Sequence, residues 1–233
     1  MHRARFKDYP GMFAQLLLAE DSSLELSSFA ALDGELPQNL EACDAYLITG
    51  SRFGVYEDHQ WIRDLEALVR DLFAAAKPVI GICFGHQIIA QALGGQVGKS
   101  RKGWGVGVHT WKLEEKPDWM NHKDEHFSML VSHQDQVHTL PANGKTLAQS
   151  EFCSIAAFQI GSTALGFQGH PEFSKDYSEA IMELRRDILG EEVYQTGMAS
   201  LSEVPQGDLV ARWTLDFISH ALQDDRPLQL KAD

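Results

Sequence analysis

Cys83 stands in the segment Gly81-Ile82-Cys83-Phe84-Gly85. The apolar run Pro78–Cys83 reads as a buried strand, and Phe84–Leu93 as a helix terminated by Gly94-Gly95. A nucleophile between a strand end and a helix start follows the logic of the G-x-S-x-G elbow, with cysteine in place of serine. Such a turn is sharp and needs small neighbours, which Gly81 and Gly85 supply. At a helix N-terminus the sulfur meets the positive end of the helix dipole, which favours thiolate. The backbone N–H of Phe84 points into the space before the sulfur, where it can bind an oxyanion. The other reading is a buried structural thiol. Cys43 and Cys153 lack the flanking glycines and read as structural.

A cysteine nucleophile needs a base, and the base needs an orienting group. Ten histidines are available, and His170 in Gly169-His170-Pro171-Glu172 stands out. An apolar strand, Ala164–Phe167, ends just before it. Pro171 keeps His170 extended, and side chains two apart on an extended chain point the same way. Glu172 can then accept from one ring nitrogen while the other faces Cys83. A surface His and Glu in a loop is the plainer reading. His122 and His126 are four apart, but His-Lys-Asp-Glu-His is not a zinc motif, so a solvated segment is expected there. His133 follows the strand-like Phe127–Val131 run and is a better candidate. His59, His109, His138 and His220 carry no pattern.

The rest of the chain must position these groups. It has 233 residues, 44% hydrophobic and 23% charged, enough for a sizeable core and consistent with one domain over 1–233. The formal charge of −13 argues against nucleic-acid binding, which needs a basic face. Three cysteines in a chain of this length are not a disulfide framework. No apolar run approaches a membrane span or a signal h-region, so a cytoplasmic protein with no membrane contact is expected. Helices are read over 10–20, 58–76, 174–189 and 208–222, and strands at Leu24–Phe29 and Ala45–Ile48. From about Val106 to Gln168 short β-like runs predominate. Alternating strands and helices, then a β-rich insert, predict an α/β fold with a central, mostly parallel sheet flanked by helices. In such folds the chemistry sits at the carboxyl ends of strands.

Gly-Ile-Cys-Phe-Gly-His-Gln at 81–87 and Gln-Gly-His-Pro-Glu-Phe at 168–173, in this order, resemble the class I (triad-type) glutamine amidotransferases. The likeness is strongest to stand-alone proteins similar to the glutaminase domain of GMP synthetase, and spans about 9–190. Ile48-Thr49-Gly50-Ser51, Val55–Asp58 and Val131–Val137 share it. The resemblance implies a flavodoxin-like fold and a Cys83, His170, Glu172 triad. It implies an oxyanion hole from the N–H of Phe84 and an N–H of the Gly50-Ser51 turn. It also implies substrate contacts from Gln87, one helical turn beyond Cys83, and from Ser132, His133 and Asp135 at the amino-acid end of glutamine. Cys83 would attack the side-chain amide, form a γ-glutamyl thioester and release ammonia, with no metal, nucleotide or redox cofactor.

Three features depart from the family pattern. Members open with a short apolar strand ahead of the Asp8-Tyr9-Pro10 region. Here MHRARFK stands in that place with no strand-like run, so the core strand is expected to be missing, supplied differently, or lost through a mis-assigned start codon. The oxyanion loop is Thr49-Gly50-Ser51-Arg52 rather than Gly-Gly-Pro. About 60 residues follow Glu172, too few for a synthetase domain. Ammonia would then pass to a separate synthetase subunit. Two alternatives stay open: a γ-glutamyl hydrolase or peptidase with the same triad, and a catalytically silent binding module. Phe53, Tyr56 and Trp104 are the pocket residues expected to separate glutamine from a γ-glutamyl substrate.

Overall fold

A computed structural model describes residues 6–224. The chain enters helix α1, Tyr9–Glu20, through Asp8, whose carboxylate accepts from the Gly11 N–H at 3.0 Å. Pro10 sits in the first turn, where its missing N–H costs no hydrogen bond. Phe13 and Leu17 form the buried stripe of α1.

Three parallel strands carry the sequence's candidate residues. They are β1, Tyr46–Ile48; β2, Val79–Ile82; and β9, Ala164–Phe167. Ile48 is in register with Gly81, and Gly81 with Gly166. Helices α2, Gln60–Ala74, and α3, Phe84–Ala92, connect within this unit. Val79 faces a core layer shared with Val69, Leu72 and Ile89 of α2 and α3. Ile80 and Ile82 face the opposite layer, with Phe13 of α1 and Trp213 and Phe217 of α7, Gly207–Asp224. A strand covered on both faces has no solvated side, which is why 78–83 reads as unbroken apolar sequence.

The β-rich insert extends this sheet beyond β9. Strands β8, Ala157–Ile160; β7, Gly144–Gln149; β4, Gly105–Leu113; and β5, His126–His133, follow in that spatial order. All pair antiparallel, so the seven-stranded sheet as a whole is mixed. A separate two-stranded ribbon joins β3, Gln96–Lys99, to β6, Asp135–Thr139. Over the β4–β5 face lie α4, Lys175–Leu184; α5, Arg186–Leu189; and α6, Glu191–Ser200. Gly107, at φ 81°, lets α6 come close: a Cβ there would fall 2.1 Å from Ser200 Oγ.

The expected strand at Leu24–Phe29 is not formed. The segment has no regular structure and lies outside the sheet, with Leu26 and Phe29 exposed. Among the described residues no strand precedes α1, and β1, the sheet edge, pairs only with β2. An apolar run without a neighbouring strand has nothing to complete its backbone hydrogen bonds and remains solvated. The helix expected over 174–189 is broken at Arg185, and α6 was not anticipated.

Candidate active site

Cys83 caps α3 at φ 54° and ψ −100°, a positive φ that a non-glycine residue adopts only at a cost. The turn is as tight as its glycines suggest. A Cβ on Gly81 would lie 2.3 Å from the Gly85 carbonyl, and one on Gly85 would lie 2.0 Å from the Ile48 carbonyl oxygen. The first turn of α3 is thus pressed against the ends of β1 and β2, with the sulfur at their carboxyl ends. The Cys83 N–H donates to the Phe167 carbonyl at 2.9 Å, tying the elbow to β9. The Phe84 ring is buried with Val55, Ile62, Leu65 and Ile88, which leaves its N–H at the start of the helix beside the sulfur.

His170 follows β9. Its N–H donates to the Leu130 carbonyl of β5 at 2.8 Å, so the far strand of the sheet holds it. The Nδ1–H donates to Glu172 Oε1 at 2.7 Å, with both side chains buried. Because a carboxylate only accepts, this bond fixes the proton on Nδ1 and leaves Nε2 for Cys83. The Cys83 sulfur is close enough for its charge to act on the imidazole. Burial opposes a charged imidazole here. The Glu172 carboxylate and the Cys83 sulfur outweigh it and raise the His170 pKa well above the usual imidazole range. Phe173 stacks on His170, with centroids 3.8 Å apart and planes 7° from parallel. Tyr9 of α1 stacks further out.

Gly50 packs directly on this imidazole: a Cβ there would meet His170 Cε1 at 2.8 Å and the Tyr9 hydroxyl at 3.4 Å. The structure therefore brings Cys83, Phe84, Gly50, Ser51, His170 and Glu172 to one end of the parallel strands.

The remaining expected contacts form a second group, most of it on the α3–β6 side. Gln87 Nε2 donates to the Asp135 carbonyl at 2.9 Å and to Gln168 Oε1 at 3.1 Å, so its amide nitrogen is already engaged. Asp135 is half-buried, and the Tyr56 hydroxyl reaches both of its oxygens at 3.1 Å. His133 is buried, and its Nδ1–H donates to the Asp135 carbonyl at 3.1 Å. Burial, with His109 nearby, pushes its pKa down to about 3, so it is neutral at ordinary pH. Ser132 faces elsewhere, toward α4, and accepts from Arg185 Nη1 at 2.8 Å.

Tyr9, Phe173, Gln168 and Arg185 were not singled out from sequence. Gln168 and Phe173 flank the His170 motif and could have been suspected from that place alone. Tyr9 and Arg185 reach the site from helices distant in sequence. Among the described residues no cluster of His, Cys, Asp and Glu is arranged to hold a metal ion, and Cys43, Cys83 and Cys153 are all free thiols. No helix there is long and apolar enough to cross a membrane.

Comparison with known proteins adds to this geometry. The family described as glutamine amidotransferase class-I matches residues 25–184. Gamma-glutamyl peptidase 2 of Arabidopsis thaliana is 32% identical over 174 residues, covering 72% of this chain and 70% of that protein. A glutamine-hydrolyzing GMP synthase subunit of Archaeoglobus fulgidus is 35% identical over 113 residues, covering 48% of this chain and 60% of the other. Among solved structures, a glutamine amidotransferase from Methylobacillus flagellatus superposes with a TM-score of 0.73 at 20% identity. That likeness covers 96% of this chain and 93% of the other, and it speaks to the fold alone.

Proposed function

Because the chain belongs to the class I glutamine amidotransferase family, we propose that it hydrolyses γ-glutamyl amide bonds with Cys83 as nucleophile, His170 as base and acid, and Glu172 as the orienting carboxylate. The observation that carries this reading is the buried His170–Glu172 pair at 2.7 Å, at the same end of the parallel strands as a cysteine on a positive-φ elbow.

In the first step His170 Nε2 takes the Cys83 thiol proton, and the sulfur attacks the γ-carbonyl carbon. The carbonyl π electrons move to oxygen, and the oxyanion is held by the N–H of Phe84 and an N–H of the Gly50-Ser51 turn. Removing one such donor costs on the order of 10²–10³ in rate. His170 then gives its proton to the departing nitrogen, the C–N bond breaks and a γ-glutamyl thioester remains. Water, deprotonated by His170, attacks the thioester. Glutamate leaves, and the proton returns to the Cys83 sulfur. No metal or redox partner enters the electron count.

The preferred substrate on this reading is a γ-glutamyl peptide. Gamma-glutamyl peptidases of Arabidopsis thaliana match about 70% of the chain at 32–35% identity. Glutamine is the second reading, with ammonia passed to a separate acceptor protein. Similarity to a glutamine-hydrolyzing synthase favours it. A product panel separates them: free glutamate, ammonia and free amino acid or peptide are measured from glutamine and from γ-glutamyl peptides, beside Cys83→Ala. Cys83-dependent peptide cleavage exceeding ammonia release supports the first reading. The reverse supports the second. Turnover retained in Cys83→Ala removes both.

A further inference from the structure

Arg185 sits at the break between α4 and α5, half-buried. Its guanidinium lies over the Trp104 ring, 5.6 Å from the centroid, and Nη1 donates to Ser132 Oγ at 2.8 Å. Among the described residues no carboxylate forms an ion pair with it, in a chain of net charge −13. Arg63, Arg70, Arg186 and Arg212 each pair with a carboxylate, while Arg52, over the Phe53 ring, and Arg101 form no ion pair among the described residues. Arg185 is instead fixed by a ring and a hydroxyl, with most of its five N–H donors uncommitted.

Its position relative to the reacting atoms can be traced. Ser132 is two residues beyond Leu130 on β5, and the Leu130 carbonyl holds the His170 N–H. Tyr9 packs with Leu130, Phe173 and Tyr177 on the same side of β5. Its hydroxyl is beside Gly50, its ring stacks with His170 at 6.3 Å, and it packs with Tyr177 of α4 against Phe173. Burial, followed by the charges of Cys83 and Glu172, raises the Tyr9 pKa, and the Arg185 guanidinium opposes that rise. The group that leaves must be on the His170 side, because His170 protonates it. Gln87, Asp135 and Tyr56 lie on the other side, toward α3 and β6. Tyr9 and Tyr177, packed with Leu130 and Phe173, and Arg185 on Ser132 lie on the α4 side of β5, away from Gln87, Asp135 and Tyr56.

From this we infer that Arg185, held by Trp104 and Ser132, is a specificity-determining residue that binds a carboxylate on the leaving portion of the substrate. The inference rests on the proposed γ-glutamyl hydrolysis and narrows its substrate class to γ-glutamyl amino acids or peptides with a free carboxylate beyond the scissile bond. A guanidinium paired with a carboxylate makes two charge-assisted bonds. Losing them costs about tenfold to a hundredfold in affinity or kcat/KM.

Every γ-glutamyl substrate also carries an α-carboxylate, and the experiment separates the two. The kcat/KM values for γ-glutamylglycine, with its terminal carboxylate, and γ-glutamylglycinamide, without it, are compared in wild type and Arg185→Gln. Wild type is expected to prefer the acid by about tenfold or more, and Arg185→Gln to bring the ratio close to one. An equal loss on both substrates would assign Arg185 to the α-carboxylate or to packing and overturn the inference. An unchanged ratio would overturn it as well. The same two ligands are titrated calorimetrically into Cys83→Ala with and without Arg185→Gln. That arm reads the carboxylate preference without turnover, so failure of the hydrolytic reading and failure of this one are told apart. No preference for the acid in Cys83→Ala refutes the role of Arg185 whether or not wild type hydrolyses anything.

Discussion

Replacing Glu172 with glutamine preserves volume and removes one buried charge. In the native protein the carboxylate accepts from His170 Nδ1 at 2.7 Å, and its side chain is fully buried. A hydrogen bond to a charged group contributes about 1.5–3 kcal/mol and a neutral one about 0.5–1.5, so about 1–2 kcal/mol of imidazolium stabilisation is lost. At 1.36 kcal/mol per pH unit, the His170 pKa falls by about one unit, and the rate by about tenfold. If the new amide turns its NH₂ toward Nδ1, the ring proton moves to Nε2 and the base faces Cys83 in the wrong tautomer. In the serine-protease triad such a change costs about 10⁴. The assay is kcat/KM on a γ-glutamyl peptide, with the His170 ring nitrogens titrated by long-range ¹H–¹⁵N NMR. A loss of about tenfold or more with a lowered His170 titration is expected. An unchanged His170 titration, or a rate within about twofold of wild type, would refute the reasoning that Glu172 raises and orients His170.

Other expectations follow from single distances and burial. Gly50→Ala should lower kcat/KM by about a hundredfold with little change in Tm, since its Cβ would press on His170 Cε1 at 2.8 Å in the oxyanion loop; normal kinetics would remove that loop from the site. Gly85→Ala should instead cost stability, about 1–3 kcal/mol or a Tm drop of about 5–10 °C, because its Cβ would meet the Ile48 backbone oxygen at 2.0 Å; an unchanged Tm would contradict the tight elbow. Alkylation of the native protein should label Cys83 and spare Cys153, which is fully buried with its thiol pushed up to about 12; peptide mass mapping reads the outcome. His86 and His133 are held neutral, both pushed down to about 3 chiefly by burial. Their folded pKa lies below the unfolded value near 6.5, so the unfolded state binds more protons in acid and stability is lost as pH falls below about 6.5. At pH 5 the two together cost about 4 kcal/mol; chemical denaturation from pH 7 to 5 that showed no loss would contradict their neutral burial.

The elbow was legible because its requirement is local. Only glycines fit at 81 and 85, and an apolar strand precedes them. The His170–Glu172 pair was legible from its motif, but not through an extended chain: Pro171 and Glu172 form a turn, with the Phe173 N–H donating to the His170 carbonyl at 3.4 Å, and that turn brings the carboxylate to Nδ1. Tyr9 and Arg185 were not, because neither lies within a motif. The contact of Arg185 with Ser132 spans 53 residues of sequence and depends on α4 ending where it does. Leu24–Phe29 has strand-like composition, but a strand needs a neighbour, and the sheet ends at β1. The β3–β6 ribbon escaped notice because Gln96–Lys99 and Asp135–Thr139 are short and largely polar, without the apolar run that marks the equally short β2 and β9. Residues whose chemistry is set by adjacent sequence were readable; those set by the meeting of distant elements were not.

The central claim is that a γ-glutamyl group becomes covalently attached to Cys83. Acid quenching during steady-state turnover of a γ-glutamyl peptide, followed by peptide mass spectrometry, observes that thioester directly. The account predicts a γ-glutamyl adduct on the peptide containing Cys83, absent from Cys83→Ala and absent before substrate is added. Turnover that proceeds with no adduct at Cys83, or with the adduct on another residue, would contradict it.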